Sequence, residues 1–305
     1  MNLFSLARKF QTEDAALLHL IRVRWPHGVR CVACDHDKCW LIESKGKTGK
    51  PRKLFECASC GLMFSATSNT LFHDSHLPLT KWFAVIALMA EAKKGISANQ
   101  VRRHVGMTYK TAWYVCHRIR NAMSDVSIAP LGEQGQVLEM DESFIGGSVR
   151  GGNADGKKSK IKVFGIAERN GRVHLQQVEN IKGETLKKVI DAVVSPNAPQ
   201  IITDGAPVYK SIIPRDKHVA GNHFRERKAG VPITNRTIEG AFSLFKRGII
   251  GSYHKLGKQH INRYLGEFCW RYNRRRMQPW IFEMTLVNLL SRKPLPYKLL
   301  TDDGF

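Results

Sequence analysis

The sequence predicts an α/β protein: a mixed sheet flanked by helices, preceded by two small modules, one carrying paired cysteines and one helical. Three observations carry that prediction. Two Cys-x-x-Cys pairs lie near the N-terminus. From Leu79 to Met123 the apolar period is helical, with capping residues and glycines at the breaks. From Leu138 onward, alternating apolar residues mark strands, and a helical stretch separates the later ones.

The cysteine pairs come first. Cys31-Val-Ala-Cys34 and Cys57-Ala-Ser-Cys60 stand with 22 residues between them. Two residues between thiols allow a tight turn that aims both sulfurs at one tetrahedral ion, and two such turns complete a four-thiolate shell. Gly61 follows the second pair, Trp40, Phe55 and Phe64 lie around the turns, and Lys45 to Lys53 reads as a hairpin tip. This is the pattern of a zinc ribbon with one structural Zn²⁺, since four protein thiolates leave no open position. Cys39 lies between the pairs as an alternative ligand, and Cys116 and Cys269 read as small buried hydrophobes.

The helical module follows. Trp82, Val85, Ile86 and Met89 form the apolar stripe of a helix that Gly95 ends. Ser97 reads as the N-cap of a short helix broken at Gly106, and Thr108 as the cap of the next. Two helices about a tight glycine turn fit a helix-turn-helix, and a plain three-helix bundle with basic faces fits the same pattern. With Trp113, Cys116 and Ile119 inward, Tyr109, Lys110, His117, Arg118 and Arg120 are left for phosphates or base edges.

Past Pro130 the strands begin. VLEMDESFIG, KIKVFGIAER and RVHLQQVEN read as three strands, the last two joined by an Asn170-Gly171 turn. The helical stretch ETLKKVIDAVV precedes a short strand, PQIITDG, which delivers Asp204. A three-stranded meander, a helix and a further strand are the opening of an RNase H-like fold. Asp141 lies mid-strand in an apolar run, where an unpaired carboxylate is costly to bury. Glu139 shares its face by period two, Glu142 points the other way, and both are rivals for its role. A third acid, Glu239, follows Asp204 with 34 residues between. It lies in the helical stretch TNRTIEGAFSLFKRGI, where Ile238, Phe242 and Phe245 mark the buried side and Asn235, Glu239 and Lys246 share one face. Converging oxygens are what Mg²⁺ or Mn²⁺ needs, and two such ions clamp the attacking and leaving oxygens of a phosphoryl displacement. Lys246 is placed to hold a phosphate.

Charge completes the picture. Of a net +22, residues 1–130 contribute +10 and residues 231–305 +8, while residues 131–230, which hold Asp141 and Asp204, contribute +4. A chain this basic calls for a polyanionic partner. In the C-terminal flank, Arg247, Tyr253, His254, Arg274 and Arg275 combine bases with aromatics, as contacts to a splayed DNA end require. Packing of the stripe Tyr264, Phe268 and Tyr272 onto the sheet is the other reading of those aromatics. The longest apolar run, Trp82 to Ala90, is too short to span a bilayer, and the first residues lack a signal-peptide pattern, so a cytoplasmic location is expected.

On these motifs the chain resembles the bacterial insertion-sequence transposases of the DDE class, in the subgroup with an N-terminal zinc ribbon and a set of Asp, Asp, Asn or Glu, and Lys. The matching stretches are the two cysteine pairs, EMDESFIGG at 139–147, ITDG at 202–205 and TNRTIEGAFSLFKRGIIGSYHKL at 234–256. Ser143 stands where the subgroup more often has Thr, and keeps the hydroxyl. The resemblance implies that Asp141, Asp204 and Glu239 bind two Mg²⁺ or Mn²⁺ with Lys246 assisting, and Asn235 is the other candidate for the third ligand. It also implies binding to double-stranded DNA at terminal inverted repeats and at a target. The element ends are cleaved there and the 3′-hydroxyls joined to target, within a homodimer or larger synaptic assembly. The rivals are a DNA-binding regulator with an inactive RNase H-like domain and a metal-dependent nuclease without strand transfer. The expected divisions are 1–76 for the N-terminal helix and ribbon, 77–127 for the helix-turn-helix, 132–290 for the catalytic domain and 291–305 for a tail.

Overall fold

The computed structural model describes residues 3–45, 51–124, 129–146, 160–221 and 235–301. The chain divides into two compact units, one spanning Met1–Ala92, Ile96–Met123 and Met277–Phe305, the other Lys93–Gly95 and Ser124–Arg276.

In the first unit, α1 (Leu3–Lys9) and α2 (Glu13–Arg24) precede an antiparallel sheet of β1 (Cys39–Lys45), β2 (Pro51–Cys57) and β3 (Met63–Phe64). The predicted hairpin forms with Cys39 opposite Cys57, and its tip, 46–50, lies outside the described residues. The sheet is too small for an ordinary core. Trp25, Phe55 and Phe64 supply an aromatic cluster instead, with ring centroids 5.7 to 6.0 Å apart. Helix α3 (Leu79–Glu91) buries Trp82, Phe83, Val85, Ile86 and Met89. Pro78 at its N-cap offers no side-chain acceptor, so the Glu13 carboxylate takes the N–H groups of Leu79 and Thr80, at 2.6 and 3.2 Å.

Helices α4 (Ala98–Val105) and α5 (Tyr109–Ala122) start at Ser97 and Thr108, whose hydroxyls accept the N–H groups of Gln100 and Thr111. Gly106 lies between them at φ +67°, a conformation open to glycine without strain. These are the helix boundaries the sequence predicts. The expected division at residue 290 differs from the structure, because the helix Ile281–Ser291 belongs to the first unit. Phe282 packs edge-on to Phe83 at 5.6 Å, and Glu283 meets His19 at 3.0 Å. An apolar helix carries no mark in sequence of the layer it joins.

The second unit is a mixed five-stranded sheet with helices packed against it. Its strands are β4 (Leu138–Ile145), β5 (Ile161–Glu168), β6 (Val173–Val178), β7 (Ile201–Thr203) and β8 (His218–Ala220), in the order β6-β5-β4-β7-β8. The first three form the antiparallel meander, turning at Asn170-Gly171, and β7 and β8 run parallel to β4. This is the RNase H-like arrangement read from the sequence. On one face, Leu138, Met140, Phe164 and Ile166 pack with α6 (Gly183–Val193) and with Tyr209 of α7 (Pro207–Ile212). On the other, Val163, Ala167 and Leu175 pack with α8 (Arg236–Gly248) and α9 (Ile261–Asn273) through Ile238, Phe242, Leu265 and Phe268. Tyr264 and Tyr272 join this core, so the aromatic stripe is packing rather than a stacking platform. The exposed edge of β6 is closed by two asparagines of α9: Asn273 Oδ1 accepts the N–H of Val173 and Asn262 Oδ1 that of Gln177, at 2.7 and 2.9 Å.

Candidate functional site

Alternation along β4 sends Leu138 and Met140 to the α6 face and Glu139 and Asp141 to the α8 face. Strand β7 pairs in parallel with β4, Leu138 with Ile201 and Glu139 with Ile202, so Asp204, just past the end of β7, is level with Asp141. Asp141 is half-buried, and its Oδ1 accepts the N–H of Glu142 at 2.8 Å. Burial raises its carboxyl to about 6 against that hydrogen bond, helped by the negative charges of Glu142, Asp204 and Glu239. Asp204 is exposed, and its Oδ1 accepts the N–H of Ala206 at 3.0 Å as the chain turns into α7. Glu239 stands exposed in the first turn of α8, and Lys246 lies two turns further along.

The rivals separate cleanly. Glu139 is buried, and its carboxylate accepts the N–H groups of Thr237 and Ile238 at 2.7 and 3.1 Å, the Thr237 hydroxyl at 3.0 Å and Arg169 Nε at 3.1 Å. All of its acceptor capacity is directed at α8 and Arg169. Glu142 points to the other face beside Tyr209, and burial raises its carboxyl. Asn235, at the N-cap of α8, makes no side-chain capping bond. Its Nδ2 donates to Met140 O at 3.2 Å, and its buried Oδ1 has no hydrogen-bond partner among the described residues. Thr234 and Gly147 of the predicted motifs lie outside those residues.

Asp141, Asp204, Glu239 and the unpartnered amide oxygen of Asn235 offer only oxygen donors, the kind that Mg²⁺ or Mn²⁺ takes. They do not close on one another as the cysteines do. Among the described residues, only Cys31, Cys34, Cys57 and Cys60 bring three or more ligand atoms all within 4.8 Å of one another. Their sulfurs lie 3.7 Å (Cys31–Cys60), 3.6 Å (Cys34–Cys57) and 3.6 Å (Cys34–Cys60) apart. Thiolates around a tetrahedral Zn²⁺ at about 2.3 Å are spaced about 3.8 Å apart, so the cluster fits that ion. The two turns repeat one geometry: Ala33 N–H points at Cys31 Sγ and Ser59 N–H at Cys57 Sγ, at 3.5 and 3.4 Å. Asp35 and Gly61 both follow at positive φ, +58° and +66°. Cys39 lies outside the group, with its thiol on His36 O.

Residues 133–273 match the family model of the ISXO2-like transposase domain, and residues 11–62 that of the transposase zinc-ribbon domain. Residues 133–273 are thus an ISXO2-like transposase domain, with a transposase zinc ribbon before it. An uncharacterized protein in transposable element ISH50 of Halobacterium salinarum is 26% identical over 150 residues, which cover 48% of this chain and 47% of that protein. The chain thus spans about half the length of the curated relative it matches. No solved structure matches it. The matched transposase domain contains β4 to α9 and all three acids, and the zinc-ribbon match contains the four cysteines.

The expected DNA contacts divide. Tyr109, Lys110, Arg247 and His254 are exposed, with the Lys110 ammonium 4.9 Å from the Tyr297 ring centre. His117, Arg118 and Arg120 are buried and do not form a DNA-facing surface. Arg118 instead donates to Leu71 O and His73 O, at 3.0 and 2.9 Å, holding the segment before α3. Besides Lys110, the helix pair exposes Arg102, Arg103 and His104 at the end of α4, which the sequence pattern does not single out. Tyr253 is committed internally, its hydroxyl donating to Glu267 Oε1 at 3.1 Å. Arg275 closes the β5–β6 turn by donating to Gly171 O and Asn170 O, and Arg274 lies over the Trp270 ring at 3.3 Å. His254 keeps its place as a candidate and is strained, at φ +61° and ψ −49°, in a γ-turn closed by Lys255 N–H to Tyr253 O at 2.7 Å. No helix of the described residues is long and apolar enough to cross a membrane.

Proposed function

We propose that the protein is a divalent-metal-dependent DNA transposase. It binds the terminal inverted repeats of its element, cleaves a phosphodiester bond at each end and joins the freed 3′-hydroxyls to target DNA. The observation that carries this reading is the half-buried Asp141 of β4, whose carboxyl is raised by burial and further by the charges of Glu142, of Asp204 after β7 and of Glu239 on α8. Two bound Mg²⁺ or Mn²⁺ would supply the charge clamp on the attacking and leaving oxygens of an in-line displacement. Asp141, Asp204 and Glu239 would hold the ions, with Asn235 the other candidate for the third ligand. Lys246, on the Glu239 face of α8, binds a phosphate oxygen of the strand being cut. The four cysteines hold one structural Zn²⁺.

Lys110 and Tyr109, together with Arg102 and Arg103, meet phosphates of the repeat through the helix pair, and Arg247 and His254 grip the element end. Two ends must be held at once, so the working form is a dimer or larger assembly. The test is strand cleavage and joining on DNA carrying the element ends with Mg²⁺, comparing the parent with Asp204→Ala. Loss of both steps in the variant supports the assignment, and equal behaviour overturns it. Binding with no Mg²⁺-dependent cleavage by the parent points to a regulator, and cleaved ends never joined to target point to a nuclease.

A further inference from the structure

We propose that Glu139 is a positioning residue that sets where Glu239 stands relative to Asp141, by anchoring the N-terminus of α8 to strand β4. The proposal rests on the reading of Glu239 as the third metal-binding acid. A helix leaves its first N–H groups without partners, and its own N-cap side chain is the usual acceptor. In α8 that arrangement is absent. Asn235 occupies the N-cap without capping, and its amide is turned to Met140 O at 3.2 Å. The acceptor comes from another element: the Glu139 carboxylate takes Thr237 N–H, Ile238 N–H and the Thr237 hydroxyl. Two successive residues of β4, 139 by side chain and 140 by carbonyl, thus hold the first turn of α8, and the next residue of the strand is Asp141.

Glu239 lies two residues beyond Thr237, about 3 Å along the axis at 1.5 Å per residue, so the anchor fixes both the height and the rotation of its Cα. Stability alone is a weak reason for such an arrangement. Glu139 is 1% exposed with one partly exposed cation, Arg169, at 3.1 Å, and a buried ion pair contributes little net stability over a well-packed apolar replacement. What a charge with directed acceptors supplies, and an apolar side chain does not, is a single placement of the helix.

The test uses zinc-loaded full-length protein and Mn²⁺ titration, with free Mn²⁺ read from its electron paramagnetic resonance signal. Partners behind the direct ligands of a metal commonly change affinity by about 10- to 100-fold when removed. Glu139→Ala should therefore raise half-saturating Mn²⁺ roughly tenfold or more. Glu139→Gln, which keeps one acceptor oxygen, should shift it less, and it carries the test should the alanine variant not fold. In a Glu239→Gln background, Glu139→Ala should add nothing further, which a merely structural role does not predict. If Glu239→Gln weakens Mn²⁺ binding while the Glu139 variants bind as the parent does, the positioning proposal fails alone. An equal, additive loss in the Glu239→Gln background also overturns it. If Glu239→Gln itself leaves Mn²⁺ binding unchanged, the reading of Glu239 fails and the proposal with it.

Discussion

Asp141 stands directly opposite Gly165 across the β4–β5 pairing. A Cβ on Gly165 would lie 2.6 Å from Ile238 Cδ1, 2.7 Å from Phe242 Cζ and 2.8 Å from Leu175 Cδ2, so the bare glycine lets α8 approach the sheet beside the candidate acid. Two of those three atoms belong to the helix that carries Glu239.

Gly165→Ala should therefore lift α8 from the sheet. Overpacking of this kind costs about 1–3 kcal/mol, read from a urea midpoint. Cleavage should fall further than stability explains, because the displaced helix carries Glu239 away from Asp141. A variant with parental stability and activity would show that α8 tolerates the shift.

The contrast between Lys110 and Arg118 gives a second prediction. Lys110→Ala should leave the unfolding midpoint unchanged and weaken DNA binding uniformly, lowering the salt-dependence slope by about 1. Arg118→Ala should strand the buried carbonyl of Leu71 and the part-buried one of His73, at a cost of about 2–3 kcal/mol. A normal unfolding midpoint with weakened DNA binding in Arg118→Ala would return that arginine to the DNA-facing set.

Both residues are bases on one helix, and the sequence alone does not separate them. Helix boundaries, the cysteine turns and the first four strands of the sheet were legible because caps, glycines and apolar periods are local signals. The dual character of β4 was legible too, since period two distinguishes the face of Glu139 and Asp141 from that of Glu142. The role of Glu139 was not, because the N–H it accepts from Thr237 lies 98 residues away and an acid beside Asp141 reads first as a rival ligand. The internal partners of Arg118 and Arg275 are hidden for the same reason: basic character is visible in sequence, but the carbonyls that these arginines bind are not.

The cysteine cluster predicts one zinc per chain. Cys60→Ser should lose that ion and open the ribbon to proteolysis, because so small a sheet has little core beyond Trp25, Phe55 and Phe64. Structural zinc sites contribute on the order of 10 kcal/mol to folding, so the loss should be complete rather than graded. Cys39→Ser, outside the cluster, should keep its zinc. Equal zinc content in parent and Cys60→Ser would remove the ribbon assignment.

The edge of β6 carries a further prediction. Asn273 both accepts Val173 N–H and donates to Val173 O, at 2.7 and 3.0 Å, and so acts toward the strand as a peptide group would. Asn273→Leu should leave both backbone groups unpaired, at about 1–3 kcal/mol each, and open a strand edge to other chains. Concentration-dependent light scattering should rise in that variant and not in Asn273→Asp at neutral pH, which keeps the acceptor and adds a charge at the edge.

Asp141 makes the candidate site testable through stability alone. In the folded chain its carboxyl holds a proton up to about pH 6, whereas the unfolded chain releases it near the ordinary value of 3.8. Between those values the folded state binds more protons, so its stability falls as pH rises, and above pH 6 the full penalty is present. A shift of about two units corresponds to roughly 2.7 kcal/mol, and partial exposure reduces this to about 1–2 kcal/mol. Without divalent ions, Asp141→Asn should therefore be more stable than the parent by that amount at pH 7, and the two should converge below pH 4. Added Mg²⁺ should reverse the order at pH 7, since a cation among the carboxylates favours the ionised parent and gives the amide less. Urea midpoints for both proteins at the two pH values, with and without Mg²⁺, decide the matter. A parent already the more stable at pH 7 without divalent ions would mean that burial and the neighbouring acids do not disfavour the charged Asp141, and the case for a metal there would lose its main support.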